Sequence, residues 1–331
     1  MKISKNALIV ASALKMKGVG NKWVVENITA NSDESEIIER LAQRNPNAKF
    51  EFYESKRAVE SEIELLENYA DGVIAFCDEG FPKYKVEVKV KGEVKSSDKP
   101  VLLTYKGDLK LLDEKLLKIA VIGLQNPCEK IKDLEEKITA KMLQKDAVIV
   151  SGLAKGCDTI AHECALKKSG ATIAILPSTL RKILPSSNAE LAREIVANGG
   201  LLISEYIDEC KNPRFDLPQR YIERDRLQAL FSDAVCLVAS YAHSDSVKDK
   251  SKDSGARHAL EKAKEWGIPR IAPKGLVGDE RFNLNREILG ESNGAKNQAI
   301  PQRPAIEINT QNIDSVIDEI KKSKMANQVL F

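Results

Sequence analysis

Four stretches of this chain combine small and polar residues in patterns suited to holding an anion. The first, Ser151-Gly152-Leu153-Ala154-Lys155-Gly156-Cys157-Asp158, follows the apolar run Ala147–Val150 and leads into a helical pattern. Glycines at 152 and 156 let the backbone approach a ligand closely. The start of the following helix offers N–H donors and a partial positive charge to a phosphate. Lys155 adds a full charge on a flexible stem. The other reading of the same residues is a tight turn in which Asp158 caps the helix. The spacing matches neither G-x-G-x-x-G nor G-x-x-x-x-G-K-[ST], so neither the dinucleotide fingerprint nor the P-loop applies. The second stretch, Gly199 to Tyr206, ends an apolar run in Ser204-Glu205. The third, Arg220 to Leu227, sets Arg220, Arg224 and Arg226 at helical spacings, where guanidiniums fork onto phosphates or stack on bases. Glu223 and Asp225 between them also allow a salt-bridged helix face. The fourth, Lys252-Asp253-Ser254-Gly255-Ala256-Arg257-His258, opens another helix after a polar stretch, Ser244 to Lys252, that reads as a mobile loop.

These stretches need a scaffold that brings them together. From 117 to 290 the chain alternates short apolar runs with helical segments. The runs are Ile119–Ile122, Ala147–Val150, Thr172–Leu176, Leu201–Ile203, Ala234–Ala239 and Pro269–Ala272. The helices fall around 129–143, 157–168, 188–197, 219–231 and 254–266. Continuous apolar strands separated by helices predict a doubly wound, mainly parallel α/β sheet of the Rossmann-like kind, covered on both faces. Ligands of such sheets bind at the carboxyl ends of the strands. Ser151, Gly152, Lys155, Gly156, Arg224, Arg226, Lys252, Ser254, Gly255 and Arg257 therefore become the candidate phosphate-binding residues. No Ser-His-Asp arrangement and no carboxylate cluster accompanies them. No catalytic residue, metal or cofactor is assigned.

Residues 1–69 read as a small helical domain. Two short helices, Ala7 to Met16 and Trp23 to Ile28, flank Gly18-Val19-Gly20, and a further helix covers 57–69. The glycine turn resembles a helix-hairpin-helix, with Gly18, Gly20 and Lys22 placed to touch a DNA backbone; equally, it is a turn that needs glycine for positive φ. Residues 70–116 read as a β extension, with strands at 72–76, 85–95 and 100–108. Residues 117–300 form the Rossmann-like domain. A tail, 301–331, holds one strand (305–308) and one helix (313–322).

Composition narrows the function class. The 331 residues are 43% hydrophobic and 30% charged, enough for a real core. The net charge of +2 argues neither for nor against nucleic acid, so any basic surface must be local. Aromatics at 5% disfavour a broad stacking platform. Six cysteines without a C-x-x-C pair read as buried reduced thiols, and three scattered histidines do not make a zinc site. No apolar run is long enough to span a bilayer, and the start reads as an amphipathic helix, so a cytoplasmic protein without a membrane partner is expected.

Five blocks, in order, resemble the DprA/Smf family of DNA-processing proteins: SGLAKGCDTIAHECAL, TIAILPSTLRKILPSSNAEL, GGLLISEY, RYIERDRLQALFSDAVCLV and SGARHALEKAKEWGIP. The resemblance implies a non-enzymatic homodimer that binds single-stranded DNA in a basic pocket and helps load a RecA-type recombinase in recombination or transformation. Three departures stand out. The family's Gly-Ser-Arg at the first strand end reads Gly123-Leu124-Gln125. Its Arg-Asn-Arg reads Arg224-Asp225-Arg226. Its Thr-Ala after the last turn reads Ala256-Arg257. These leave open a nucleotide-sensing module in stress or phage defence. They also leave open a nucleotide hydrolase, for which Glu205 and Asp158 would be the carboxylates.

Overall fold

The computed structural model describes residues 1–84, 94–252, 255–290 and 305–328. Strand β1 (Lys2–Ile3) leads into four helices, α1 (Lys5–Leu14), α2 (Asn21–Asn27), α3 (Glu34–Ala42) and α4 (Ala48–Leu66). Strands β2 (Gly72–Ala75) and β3 (Leu102–Gly107) follow. Then come β4 (Lys118–Ile122), α5 (Glu129–Gln144), β5 (Val148–Ser151), α6 (Cys157–Lys167), β6 (Thr172–Leu176), α7 (Ala189–Ala197), β7 (Leu201–Ser204) and α8 (Pro213–Leu230). The chain continues through β8 (Ala234–Leu237), α9 (His243–Lys248), α10 (Ala256–Glu265), β9 (Arg270–Ala272), α11 (Asn283–Gly290), β10 (Ile306–Glu307) and α12 (Ile313–Gln328).

Among the described residues the ten strands form one sheet, in the order β1-β2-β3-β7-β6-β5-β4-β8-β9-β10. Strands β4 to β9 run parallel to one another. Strand β3 pairs antiparallel with both β2 and β7, so the stretch read as an extension is part of the main sheet. Of the strand expected at 85–95, residues 85–93 lie outside the described residues, as does Ser254.

The strands are buried on both sides because helices cover both. On one face Ile119, Val121 and Ile149 pack against Ile131, Ile138 and Met142 of α5, Ala161 of α6 and Ile317 of α12. On the other, Ala120, Ile122 and Val150 meet Leu227 and Leu230 of α8 and Leu260 of α10. Alternate strand residues feed alternate cores, as the two-residue period requires. The N-terminal helices share a third core with α7, where Phe52 and Val59 join Leu191 and Ile195.

Helix α8 begins six residues before the sequence pattern placed it. Pro213 starts it, and Asp216 accepts from the Asn212 amide at 2.9 Å. Pro218 sits early in the helix, where its missing N–H costs one bond without stopping it. Part of the stretch read as a mobile loop is the short helix α9, tied down by Asn283, whose Nδ2 donates to Asp245 Oδ2 at 2.8 Å. Cys157, Cys164 and Cys236 are buried and Cys77, Cys128 and Cys210 half-buried; none is disulfide-bonded.

Candidate functional site

Each strand from β4 to β9 ends at the same edge of the sheet, so the connections that follow them gather there. The connection after β5 is the centre of the candidate site. Ser151 Oγ donates to Val121 O at 2.7 Å and ties the turn to β4. Leu153 takes a left-handed conformation, φ 58°, and packs into the N-terminal core. Asp158 then turns back: its Oδ2 accepts from the Gly152 amide at 3.0 Å and the Ala154 amide at 3.2 Å. The Cys157 amide donates to Leu124 O at 2.9 Å. Asp158 therefore does not cap α6, whose N-cap is Gly156 without a side-chain cap bond; from the first turn of the helix it holds the amides of the preceding turn instead. Lys155 stands exposed at its tip.

Arg224 is not solvated, contrary to the expectation of a surface contact. It is 5% exposed, with Nη1 at 3.6 Å from Asp158 Oδ2 and Nε at 3.1 Å from Asp225 Oδ1. A Cβ on Gly152 would fall 1.0 Å from Nη1, so that glycine exists to admit a guanidinium. In the orientation that suits its surroundings, the Gln228 side-chain oxygen accepts from the Gly152 amide at 2.9 Å and from Arg224 Nη1 at 3.3 Å. Burial pushes the Asp225 carboxyl up to about 7, against the pull of Arg224, and Asp158 adds repulsion.

Arg226 is also internal. It grips Glu205 with both arms, at 2.5 and 2.7 Å, and donates to Asp98 O at 3.0 Å. Its work is to join α8, the end of β7 and the segment before β3. Lys252 pairs with Glu280 at 2.5 Å. Gly255 starts α10, with Arg257 half-buried in its first turn. Gly156 holds φ 76° and its absent Cβ would lie 2.3 Å from Leu124 O. The hairpin residues Gly18, Gly20 and Lys22 are exposed and far along the chain from this cluster; between them Asn21 Nδ2 donates to Lys99 O. Lys22 approaches Glu26 at 3.9 Å.

Beyond Lys155, which the sequence reading named, it missed a row of exposed cations along the same edge. Lys211 and Arg214 follow β7, Lys155 follows β5, Lys130 follows β4, Lys248 and Lys250 follow β8, and Lys274 follows β9. Among the described residues none of these seven lies in an ion pair. Six strands at the usual spacing make this row about 24 Å long. Single positions gave no signal for it; counting Lys and Arg in each loop after a parallel strand finds it. By contrast, a groove of about 810 Å³ between α1, α8 and α10 is lined by Lys15, Arg220, Arg226 and Lys262 against six carboxylates. Its field is wrong for a polyanion.

A family model described as DNA recombination-mediator protein A matches residues 72–269. The chain belongs to this family. Its sequence is 42% identical over 184 residues to DNA processing protein DprA of Streptococcus pneumoniae, covering 55% of this chain and 58% of that protein. It is 33% identical over 173 residues to DNA processing protein DprA of Bacillus subtilis, covering 52% and 54%. The chain thus spans little more than half the length of the curated relatives it matches. The X-ray structure of the S. pneumoniae protein shares the fold, with a TM-score of 0.61 at 23% identity over 90% of this chain and 98% of that one. A structure of DNA processing protein A from Helicobacter pylori, reported for its single-stranded DNA binding mode, superposes with a TM-score of 0.54 at 26% identity. It covers 75% of this chain and 96% of that one. These findings agree with the DprA/Smf resemblance and the Rossmann-like α/β fold. Among the described residues no helix is long and apolar enough to cross a membrane, and no His, Cys, Asp and Glu cluster is placed to hold a metal.

Proposed function

We propose that this family member binds single-stranded DNA along the carboxyl edge of its sheet and, as a homodimer, helps load a RecA-type recombinase. The observation that carries the reading is the row of exposed cations at that edge, from Lys211 to Lys274, which form no ion pair among the described residues. An extended polyanion needs such a row, and the +2 chain concentrates it where the fold presents ligands. The relative from H. pylori with its reported single-stranded DNA binding mode supports the ligand class. The Asp158 and Glu205 carboxylates are both committed to internal partners, which supports binding over hydrolysis.

The test is fluorescence anisotropy with labelled single strands of increasing length at two salt concentrations. Affinity is expected to grow with length and fall steeply with salt as counterions are released. Lys155→Glu and Arg214→Glu should each weaken binding, and Lys155→Ala should lower the salt slope by about one. Binding of a mononucleotide as tight as that of a long strand would favour a nucleotide sensor instead.

A further inference from the structure

Asp225 sits where its charge is costly. It is 6% exposed and its Oδ1 lies 3.1 Å from Arg224 Nε. Its Oδ2 reaches the start of α10, where a Cβ built on Gly255 would come within 3.3 Å of it. Arg224 also faces Asp158 Oδ2 at 3.6 Å, and that oxygen already holds the Gly152 and Ala154 amides. A guanidinium, two turn amides and a helix start are the groups with which a sheet edge holds a phosphate. Here two carboxylates of the chain itself stand among them: Asp158 accepts from the turn amides, and Asp225 lies against Arg224 and beside the start of α10. Asp158 and Asp225 thus share the one guanidinium of Arg224, at the turn that carries Lys155.

We propose that Asp225 is an internal competitor of the DNA backbone, and that taking up a proton on its carboxylate strengthens single-stranded DNA binding at this edge. The inference rests on the DNA-binding reading above. Protonation removes one negative charge from the floor of the site and leaves Arg224 balanced by Asp158 alone. An incoming phosphate favours that state, so binding draws in a proton and affinity rises as pH falls. The charged and titratable groups around Asp225 are Arg224 and Tyr221 on α8, Asp158 and His162 on α6, and Arg257 and His258 in the turn of α10 after Gly255. Burial holds His162 neutral, with its pKa down to about 3, so it does not titrate here. With Asp225 at about 7, its protonated fraction falls about tenfold between pH 6 and pH 8.

The experiment measures binding of a labelled oligothymidylate from pH 6 to pH 8 at fixed salt. Wild type is expected to weaken about tenfold over that range, and Asp225→Asn to bind at pH 8 as wild type does at pH 6, with a flat profile. The double variant His243→Gln/His258→Gln should keep the wild-type slope. Calorimetry of the wild type at pH 7, in two buffers of different ionisation heat, should show uptake of about half a proton on binding. Equal slopes in wild type and Asp225→Asn overturn the inference and leave DNA binding standing. So does a slope lost in the histidine variant, or zero proton uptake. Failure of both wild type and Asp225→Asn to bind at pH 6 overturns the DNA-binding reading and the inference with it.

Discussion

Arg224 fills the space that Gly152 leaves open, and one missing Cβ lets a guanidinium reach two carboxylates below the surface. Lys155, three residues beyond Gly152, points into solvent. In the sequence the two cations look alike, since each lies in a stretch of polar and small residues. Burial comes from tertiary packing, and spacing along one helix carries no record of it. The two should therefore fail differently. Arg224→Ala takes from the buried Asp158 and Asp225 the guanidinium they share, and breaking a buried pair in this way costs about 3–5 kcal/mol. Urea unfolding monitored by circular dichroism measures that loss, with Lys155→Ala as a control expected within about 0.5 kcal/mol of wild type. A loss from Arg224→Ala as small as the control's shows that water reaches the cluster and that Arg224 is free to meet DNA.

The turn between β5 and α6 shows how an element places a charge. Gly156 adopts φ 76° and ψ −123°, a conformation that L side chains avoid, and a Cβ there would collide with Leu124 O at 2.3 Å. That close approach brings the Cys157 amide onto Leu124 and sets Lys155 at the tip. Gly156→Ala is expected to cost roughly 1–3 kcal/mol from backbone strain alone, and to weaken DNA binding because Lys155 is displaced. Thermal unfolding and anisotropy on the same preparation check both; unchanged melting and affinity would show that the turn relaxes freely. The parallel strands and most helices were legible because continuous apolar runs such as IAVI and TIAIL mark strands buried on both faces. The start of α8 was not, since Pro218 reads as a boundary when it is only an early helical position. Nor was the place of β3, whose antiparallel pairing with β7 joins residues about 100 positions apart. The candidate site was legible as a sheet edge and not as a set of contacts. Glycines, arginines and acids named the turn, while the ion pairs that neutralise Arg224, Arg226 and Lys252 depend on partners elsewhere in the chain.

Across the whole molecule one sheet links the N-terminal helices to the C-terminal helix, so a charge buried in one layer affects the stability of all of it. Glu135 is such a charge. It lies on the core face of α5 between Ile131 and Ile138, fully buried beside the Cys157 thiol, and neither carboxyl oxygen has a hydrogen-bond partner of good geometry among the described residues. Burial holds its carboxyl well above the usual 4.5, with Asp158 and Glu136 adding repulsion. The unfolded chain releases this proton near 4.5 while the folded chain keeps it, so over that interval the folded state binds more protons and stability falls as pH rises. An amide in place of the carboxyl cannot ionise in either state, so Glu135→Gln removes this dependence. Stability of the variant relative to wild type should grow between pH 5 and pH 8, by at most about 1.4 kcal/mol per pH unit. Urea unfolding at several pH values measures it, and comparing slopes cancels the constant cost of burying an amide. A gap that stays constant or narrows with rising pH means that Glu135 is ionised and paired in the folded protein. A gap that widens places a neutral acid directly behind the first turn of α6, whose Asp158 holds the turn carrying Lys155. In that case alkaline pH loosens the scaffold of the edge proposed to bind DNA from within, independently of the proton on Asp225.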